Sequence, residues 1–494
     1  MDIVVLLFLT SGLFLGWSLG ANDAANVFGT AVGTGMVRFV TAAMVCSVFL
    51  LLGAVISGAG AAHTLGKLGS VNALAGSFAA AFSAALTVYW MTKAGLPVST
   101  SQAIVGAIIG WNWFSGSITD AGALAKILAT WVACPLLAGF IAVPLFHVTT
   151  RVIKRAGIHL LRLDAYTRAA LILAGAFGSY SLGANNIANV MGVFVPVSPF
   201  TDFSVAGLFT FSSIQQLFLL GAVAIGVGVF TYSKRVMLTV GSDLLPLSPV
   251  AAWVVVMSHS IVLFLFASEG LEHLLASAGL PTIPLVPVSS SQAVVGAVVG
   301  IGLFKGGRNI QWRVLGTISG GWITTPIIAA CVSFLSLFVL QNVFDQQVYR
   351  AVHFELSPTV MERLVTHGVS VEDLRDLRGT DFPAATRLLD AVKERTSLSG
   401  YQQNDLLATA EVFRTSFDPA HMASIDKDSL SADQLGAIHS LAGQTYRHKW
   451  QVSEKLAQAS AEWQLHEETT VNKIYNKRVK SQMAQVFRTF GIEN

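Results

Sequence analysis

Ser18-Leu19-Gly20-Ala21-Asn22-Asp23-Ala24-Ala25-Asn26-Val27 recurs as Ser181-Leu182-Gly183-Ala184-Asn185-Asn186-Ile187-Ala188-Asn189-Val190, eight identities in ten. A second block, Pro97-Val98-Ser99-Thr100-Ser101-Gln102-Ala103-Ile104-Val105-Gly106, recurs as Pro287-Val288-Ser289-Ser290-Ser291-Gln292-Ala293-Val294-Val295-Gly296, and Trp131 with Pro135 recurs as Trp322 with Pro326. Three blocks in one order mark a duplicated unit, one copy within residues 1–146 and the other within 165–343.

The medium around this unit follows from composition. Of 494 residues 53% are apolar and only 12% charged, and the mean hydropathy is +0.62, far from a soluble domain with about a quarter of its residues charged. Residues 1–344 hold 8 acids and 14 bases, against 20 and 17 in residues 345–494, so a bilayer-embedded part precedes a soluble one. A helix needs about 20 apolar residues to cross a bilayer. Segments 3–20, 39–58, 72–92, 122–146, 169–195, 205–232, 246–268 and 314–343 qualify. Two shorter stretches, 97–114 and 287–304, open with proline and hydroxyl residues and either cross once or dip in and return. The N-terminus has no basic residues before its apolar run and reads as a first span rather than a cleaved leader. A net charge of +3 without any long Lys/Arg run gives no footprint for nucleic acid. Cys46, Cys134 and Cys331 all sit in apolar stretches, which is neither a disulfide framework nor a zinc spacing. No HExxH string occurs, and no enzyme is expected.

Loop charge sets the orientation. The link at 147–164, with Arg168 just beyond it, carries Arg151, Lys154, Arg155 and Arg162 and belongs in the cytoplasm. Counting forward, 196–204 has no base, Lys234 and Arg235 are basic, 269–286 holds only Glu269 and Glu272, and Lys305, Arg308 and Arg313 are basic again. This alternation requires the Pro287 segment to cross once, giving five crossings per repeat. Five is odd, so the copies enter the membrane in opposite directions, as inverted repeats, and both termini come out extracytoplasmic. Lys67 is the one base on the wrong side.

Chemistry concentrates in the repeated blocks. Asp23 is a carboxylate in an apolar stretch, at a cost of about 2.5–3.5 kcal/mol at mid-membrane unless a cation, a proton or a substrate hydrogen bond compensates. The structural alternative places it at headgroup level beyond a helix ending near Gly20. Asn22 and Asn26 share a helix face, as do Asn185 and Asn189, which suggests one composite site, although interhelical amide bonds are the plainer account of any single Asn. The Pro-Val-Ser blocks suit helix starts, where free N–H groups and hydroxyls hold an anion without formal positive charge. Their residues are Ser99, Thr100, Ser101 and Gln102, and Ser289, Ser290, Ser291 and Gln292; ordinary capping is the alternative. His63, His147 and His259 stand singly and read as packed or interfacial histidines.

Together these blocks resemble the signature repeats of the inorganic phosphate transporter family over essentially all of residues 1–343. The resemblance implies an all-α polytopic carrier, two inverted repeats with the anion bound between them, coupled to Na⁺ or H⁺, with no other cofactor. It implies that the hydroxyl blocks, with Asn26 and Asn189, hold the anion, and that Asn22, Asp23, Asn185 and Asn186 hold the coupling cation. Family members often carry Asp in both copies; Asn186 stands here instead. Phosphate near neutral pH keeps a proton that can bond to Asp23, whereas sulfate has none, so phosphate is the expected substrate. A sulfate carrier of the same fold is the alternative, and a passive anion channel a more distant one. The expected location is the inner cell membrane, as a homo-oligomer in the lipid bilayer.

Residues 344–494 read as a soluble helical tail. Ser357-Pro358, and Ser370 with Asp373, mark helix starts, Gly379 a stop, and the periodic stretch 446–489 one long helix. Its expected role is accessory or oligomeric, with regulation of transport as the sharper possibility.

Overall fold

The computed structural model describes residues 3–69, 71–93, 98–205, 209–243, 247–307, 310–369, 371–422, 425 and 429–492. Pro97, Arg308 and Ser370 lie outside the described residues. Two compact units emerge. One comprises residues 1–114, 119–271 and 283–350; the other comprises 115–118, 272–282 and 351–494.

The first unit is a helical membrane body. Its first repeat contributes α1 (Ile3–Gly33), α2 (Phe39–Ser57), α3 (Ala59–Leu68), α4 (Leu74–Lys93), α5 (Thr100–Ser115) and α6 (Ala121–Ala156). The second contributes α7 (Leu160–Met191), α8 (Ser213–Thr231), α9 (Ser233–Asp243), α10 (Pro249–Leu265), α11 (Glu269–Ser277), α12 (Ser290–Phe304) and α13 (Trp312–Asn342). Matching the repeated blocks pairs α1 with α7, α2 with α8, α3 with α9, α4 with α10, α5 with α12 and α6 with α13; α11 has no counterpart. Among the described residues, α1, α2, α4, α6, α8 and α13 are long and apolar enough to cross a membrane, α10 joins α11 at a 63° bend, and α12 is a shorter apolar helix. The protein is a multi-pass membrane protein.

Several boundaries differ from the sequence reading. The 205–232 span begins only at Ser213, because β1 (Phe203–Val205) and β2 (Phe209–Phe211) form an antiparallel hairpin and Ser212 with Gln215 makes a capping box. The first helix does not end near Gly20: α1 runs unbroken to Gly33, so Asn22, Asp23 and Asn26 stand mid-helix. The basic linker is almost wholly helical. Gly157, at φ 56°, closes α6, and His159 caps α7.

Glycines explain how the repeats interlock. A Cβ at Gly20 would lie 1.9 Å from Ile225 O, and one at Gly183, its repeat mate, 2.0 Å from Leu50 O. Conversely Gly228 abuts Trp17 O and Gly53 abuts Tyr180 O, at 2.1 and 2.0 Å from the same imagined atom. Thus α1 packs on α8 as α7 packs on α2, each helix of one repeat on a helix of the other. The motif helices do likewise: Gly106 meets Pro326 O and Gly296 meets Pro135 O, both at 2.1 Å. These exchanged contacts are what a pseudo-twofold between two copies produces, and small residues are what lets backbones approach so closely in a membrane.

The second unit is itself a tandem. Its first lobe runs β3 (Phe354–Glu355), α14 (Pro358–Thr366), β4 (Asp381–Phe382), α15 (Ala385–Lys393) and α16 (Gly400–Ala410). The second runs β5 (Thr415–Ser416), α17 (Pro419–Met422), α18 (Ala432–Ser440), β6 (Thr445–Tyr446), α19 (Lys449–Ala459) and α20 (Lys473–Phe490). The same bonds recur in each: Gly379 N–H to Leu356 O and Gly443 N–H to Phe417 O, both 2.8 Å, with both glycines at positive φ. Residues after the last helices close the lobes alike, Val412 N–H donating to His353 O and Ile492 N–H to Arg414 O, each at 2.9 Å. Ser357 caps α14 with Pro358 in its first turn, as expected. The long helix expected over 446–489 is broken instead. Ser460 leaves helical geometry, and Trp463 drops into the second lobe's core, its Nε1–H donating to Gln434 O at 3.3 Å. Burying an indole there wins over continuing an exposed helix.

Each lobe encloses a loop from the membrane-body sequence. In the first, Ile118 packs on the core and Thr386 N–H donates to Gly116 O at 3.4 Å. In the second, Glu272, 6% exposed, takes Lys473 at 2.8 Å and Lys477 at 3.4 Å, and Lys473 Nζ also donates to Thr282 Oγ1 at 2.5 Å.

Candidate functional site

The two hydroxyl blocks open α5 and α12. Ser99 and Ser289 immediately precede these helices, and their hydroxyls accept the N–H groups of Gln102 (3.4 Å) and Gln292 (3.3 Å). One N–H of each first turn is thereby used, and the N–H groups of the residues before it have no carbonyl of their own helix to bond, as at any helix start. The starts brace each other: Ser101 Oγ–H donates to Val288 O at 3.1 Å and Ser291 Oγ–H donates to Val98 O at 3.5 Å. Residue 101 matches 291 and 98 matches 288, so this brace has the symmetry of the duplication. Two helix N-termini, each carrying the positive end of a dipole, therefore meet where the repeats meet. Ser289 and Ser291 also share a hydrogen bond at 3.1 Å, and Cys134 Sγ–H donates to Ser289 O at 3.6 Å.

Amides from α1 and α7 reach the same place. Asn189 Nδ2–H donates to Ser101 Oγ and to Asn186 Oδ1, both at 2.7 Å, while Asn26 Nδ2–H donates to Ser290 Oγ at 2.9 Å. Ser101 lies 3.4 Å from Asn186 Oδ1. Asn185 fixes the extended strand before α12, donating to Val286 O at 3.1 Å and accepting Val288 N–H at 2.9 Å. Asn22 donates to Asp23 Oδ1 at 3.1 Å. Of the fourteen residues expected from sequence, Asn22 and Asn26 are half-buried and the rest are buried. The structure joins Ser101, Asn186 and Asn189 in one cluster and Asn26 with Ser290 in another; Asp23 bonds to Asn22 rather than to either hydroxyl block.

One member escaped the sequence reading. His259 on α10 is fully buried, and its Nε2 lies 2.9 Å from Ser290 Oγ. It is packed, as a lone histidine is expected to be, but packed onto the site. The only sequence signal was its place at the centre of an apolar span.

Several buried polar atoms here have no partner: Thr100 Oγ1, Gln102 Oε1, Gln292 Oε1, Asn186 Nδ2, Asn189 Oδ1 and His259 Nδ1. Leaving such a group unsatisfied costs about 1–3 kcal/mol each, and native proteins rarely gather several in one place. Donors and acceptors are mixed, which suits a protonated oxyanion accompanied by a hard cation.

The string Gly16-Trp17-Ser18-Leu19-Gly20 has the G-x-S-x-G spacing of a hydrolase elbow. Ser18 lies inside continuous α1, however, whereas an elbow requires a strand-to-helix turn that exposes the hydroxyl.

Comparison with known proteins agrees with the fold. The model of the phosphate transporter family matches residues 19–333 and, in a second segment, 280–487. A protein of Methanocaldococcus jannaschii described as a "putative phosphate permease" is 27% identical over 335 residues, covering 68% of this chain and 97% of its own. One of Haemophilus influenzae with the same description is 23% identical over 421 residues, covering 68% and 96%. The solved structure titled "The sodium-dependent phosphate transporter" superposes with a TM-score of 0.55 at 22% identity, covering 69% of this chain and all of that one. That last likeness is one of fold.

Proposed function

The chain belongs to the phosphate transporter family, and on that premise we propose that it carries inorganic phosphate across the inner cell membrane as a secondary transporter driven by a cation gradient. The observation that carries the reading is the meeting of two symmetry-related helix starts surrounded by unpartnered buried polar atoms. Phosphate oxygens take the free N–H groups, Thr100 Oγ–H and Asn186 Nδ2–H. The substrate's own O–H donates to an amide oxygen or to Asp23. Ser99, Ser101, Gln102, Ser289, Ser290, Ser291 and Gln292, with Asn26 and Asn189, form this anion cradle.

Asp23, with Asn22, Asn185 and Asn186, is the proposed cation site. A carboxylate buried within the membrane marks an ion or proton path by default, and amide oxygens complete a hard-cation shell. Sodium is the favoured ion, since the structural neighbour of the same fold is described as sodium-dependent. Coupling follows if the cation is needed to neutralise Asp23 before an anion can sit close by.

The test is uptake of radiolabelled phosphate into proteoliposomes under an imposed Na⁺ or H⁺ gradient, with sulfate as competitor. Accumulation above equilibrium with one cation gradient is expected. Uptake that never exceeds equilibrium under either gradient means a passive channel, and strong competition by sulfate means that replacing the second Asp by Asn186 has widened the selectivity.

A further inference from the structure

We infer that His259 is a positioning residue for the anion, acting through Ser290; the inference rests on the anion-site reading above. Ser290 Oγ has one hydrogen and two lone pairs. Asn26 Nδ2–H, 2.9 Å away, occupies one lone pair. His259 Nε2, also at 2.9 Å, takes either the other lone pair or the hydrogen, depending on which ring nitrogen is protonated. With the proton on Nε2, Ser290 accepts twice and its own hydrogen is left for another partner. With the proton on Nδ1, Ser290 spends its hydrogen on the imidazole and has none for a substrate.

The matching residue points to the state that an anion site would need. Thr100 begins α5 as Ser290 begins α12, and Thr100 Oγ1 has no partner, so its hydroxyl is free to donate. The two repeats thus present equivalent hydroxyl donors only if His259 donates from Nε2. Nδ1, buried and unpartnered, is then a bare acceptor. The histidine orients a donor that would otherwise rotate freely or be claimed by a neighbour, and that orientation is specific for an oxyanion.

The experiment measures phosphate uptake by proteoliposomes containing His259→Gln, His259→Asn, His259→Leu, Ser290→Ala, Thr100→Ala and the Leu/Ala double variant. The Gln amide reaches about as far as Nε2 and can donate; the Asn amide reaches only the Nδ1 position. His259→Gln is expected to keep KM within about twofold. His259→Leu and His259→Asn are expected to raise it about tenfold, the loss of one hydrogen bond to a charged group, with Vmax little changed. In the Ser290→Ala background, His259→Leu is expected to add nothing. Equal KM for the Gln and Asn variants overturns the inference, as do multiplying effects in the double variant. Should His259→Leu fail to fold by thermal melting, the Gln and Asn pair alone decides. If Ser290→Ala and Thr100→Ala both leave KM unchanged, the anion-site reading itself fails; if only the histidine variants are silent, the site stands and His259 has no part in it.

Discussion

At the scale of single residues, the asymmetry between Asp23 and Asn186 matters most, because the duplication places a carboxylate in one repeat where the other has an amide. On the proposed mechanism the carboxylate drives coupling, whereas the neutral amide adds only a ligand. Asp23→Ala should therefore abolish gradient-driven uptake, while Asn186→Ala should leave it reduced by about tenfold or less, the worth of one hydrogen bond. Indistinguishable uptake by wild type and Asp23→Ala would remove Asp23 from the mechanism. That Asn189 and Ser101 belong together could be read from sequence, because each lies in a block that appears twice. His259 could not, since a lone histidine in an apolar span says nothing until α10 carries it to Ser290. Asp23 shows a subtler limit: its block was legible, but its bond to Asn22 rather than to the hydroxyl blocks depends on side-chain geometry within α1.

At the scale of elements, stability rests on backbone contacts that only glycine permits. Gly183→Val would drive a side chain into Leu50 O and should cost about 3 kcal/mol or more, since backbone cannot yield as a side chain can. Gly316 on α13 has nothing within 4 Å of an imagined Cβ, so Gly316→Val is the control. Melting in detergent should show a large drop for the first and little change for the second; equal shifts would refute the interlocking role. The helices themselves were largely visible as apolar runs. Their ends were not, because Ser212 with Gln215, or Trp463 entering a core, decide boundaries by local bonds and packing that hydropathy averages away. The tail's internal duplication was invisible for a related reason. Its lobes share hydrogen bonds at Gly379 and Gly443 but few identical side chains.

For the whole molecule, sidedness is the open consequence of topology. Residues 115–118, 272–282 and 351–494 form one compact unit, and a bilayer cannot divide a packed core. The 115–118 loop is separated from the basic linker by α6 alone, a helix long enough to cross, and five crossings per repeat predict an extracytoplasmic tail. A cysteine placed at exposed Ser399 should react with a membrane-impermeant thiol reagent in intact cells; protection until lysis would put the tail inside. Glu272→Gln, which removes the charge that Lys473 and Lys477 share, should make the tail more sensitive to limited proteolysis without abolishing folding of the membrane helices, and an unchanged cleavage rate would mean that the lysines contribute nothing there. The loops enclosed by the tail also bear on how the protein is made. Residues 351–494 emerge from the ribosome after the hydrophobic segments of residues 3–343, yet Ile118 packs on the first lobe's core and the Lys473 and Lys477 ammonium groups pair with Glu272. A chain that delivered the 115–118 or the 272–282 loop to the other side would strand those partners across the bilayer. Completing either lobe thus requires that the 115–118 and 272–282 loops, made early, and residues 351–494, made late, reach the same side of the membrane.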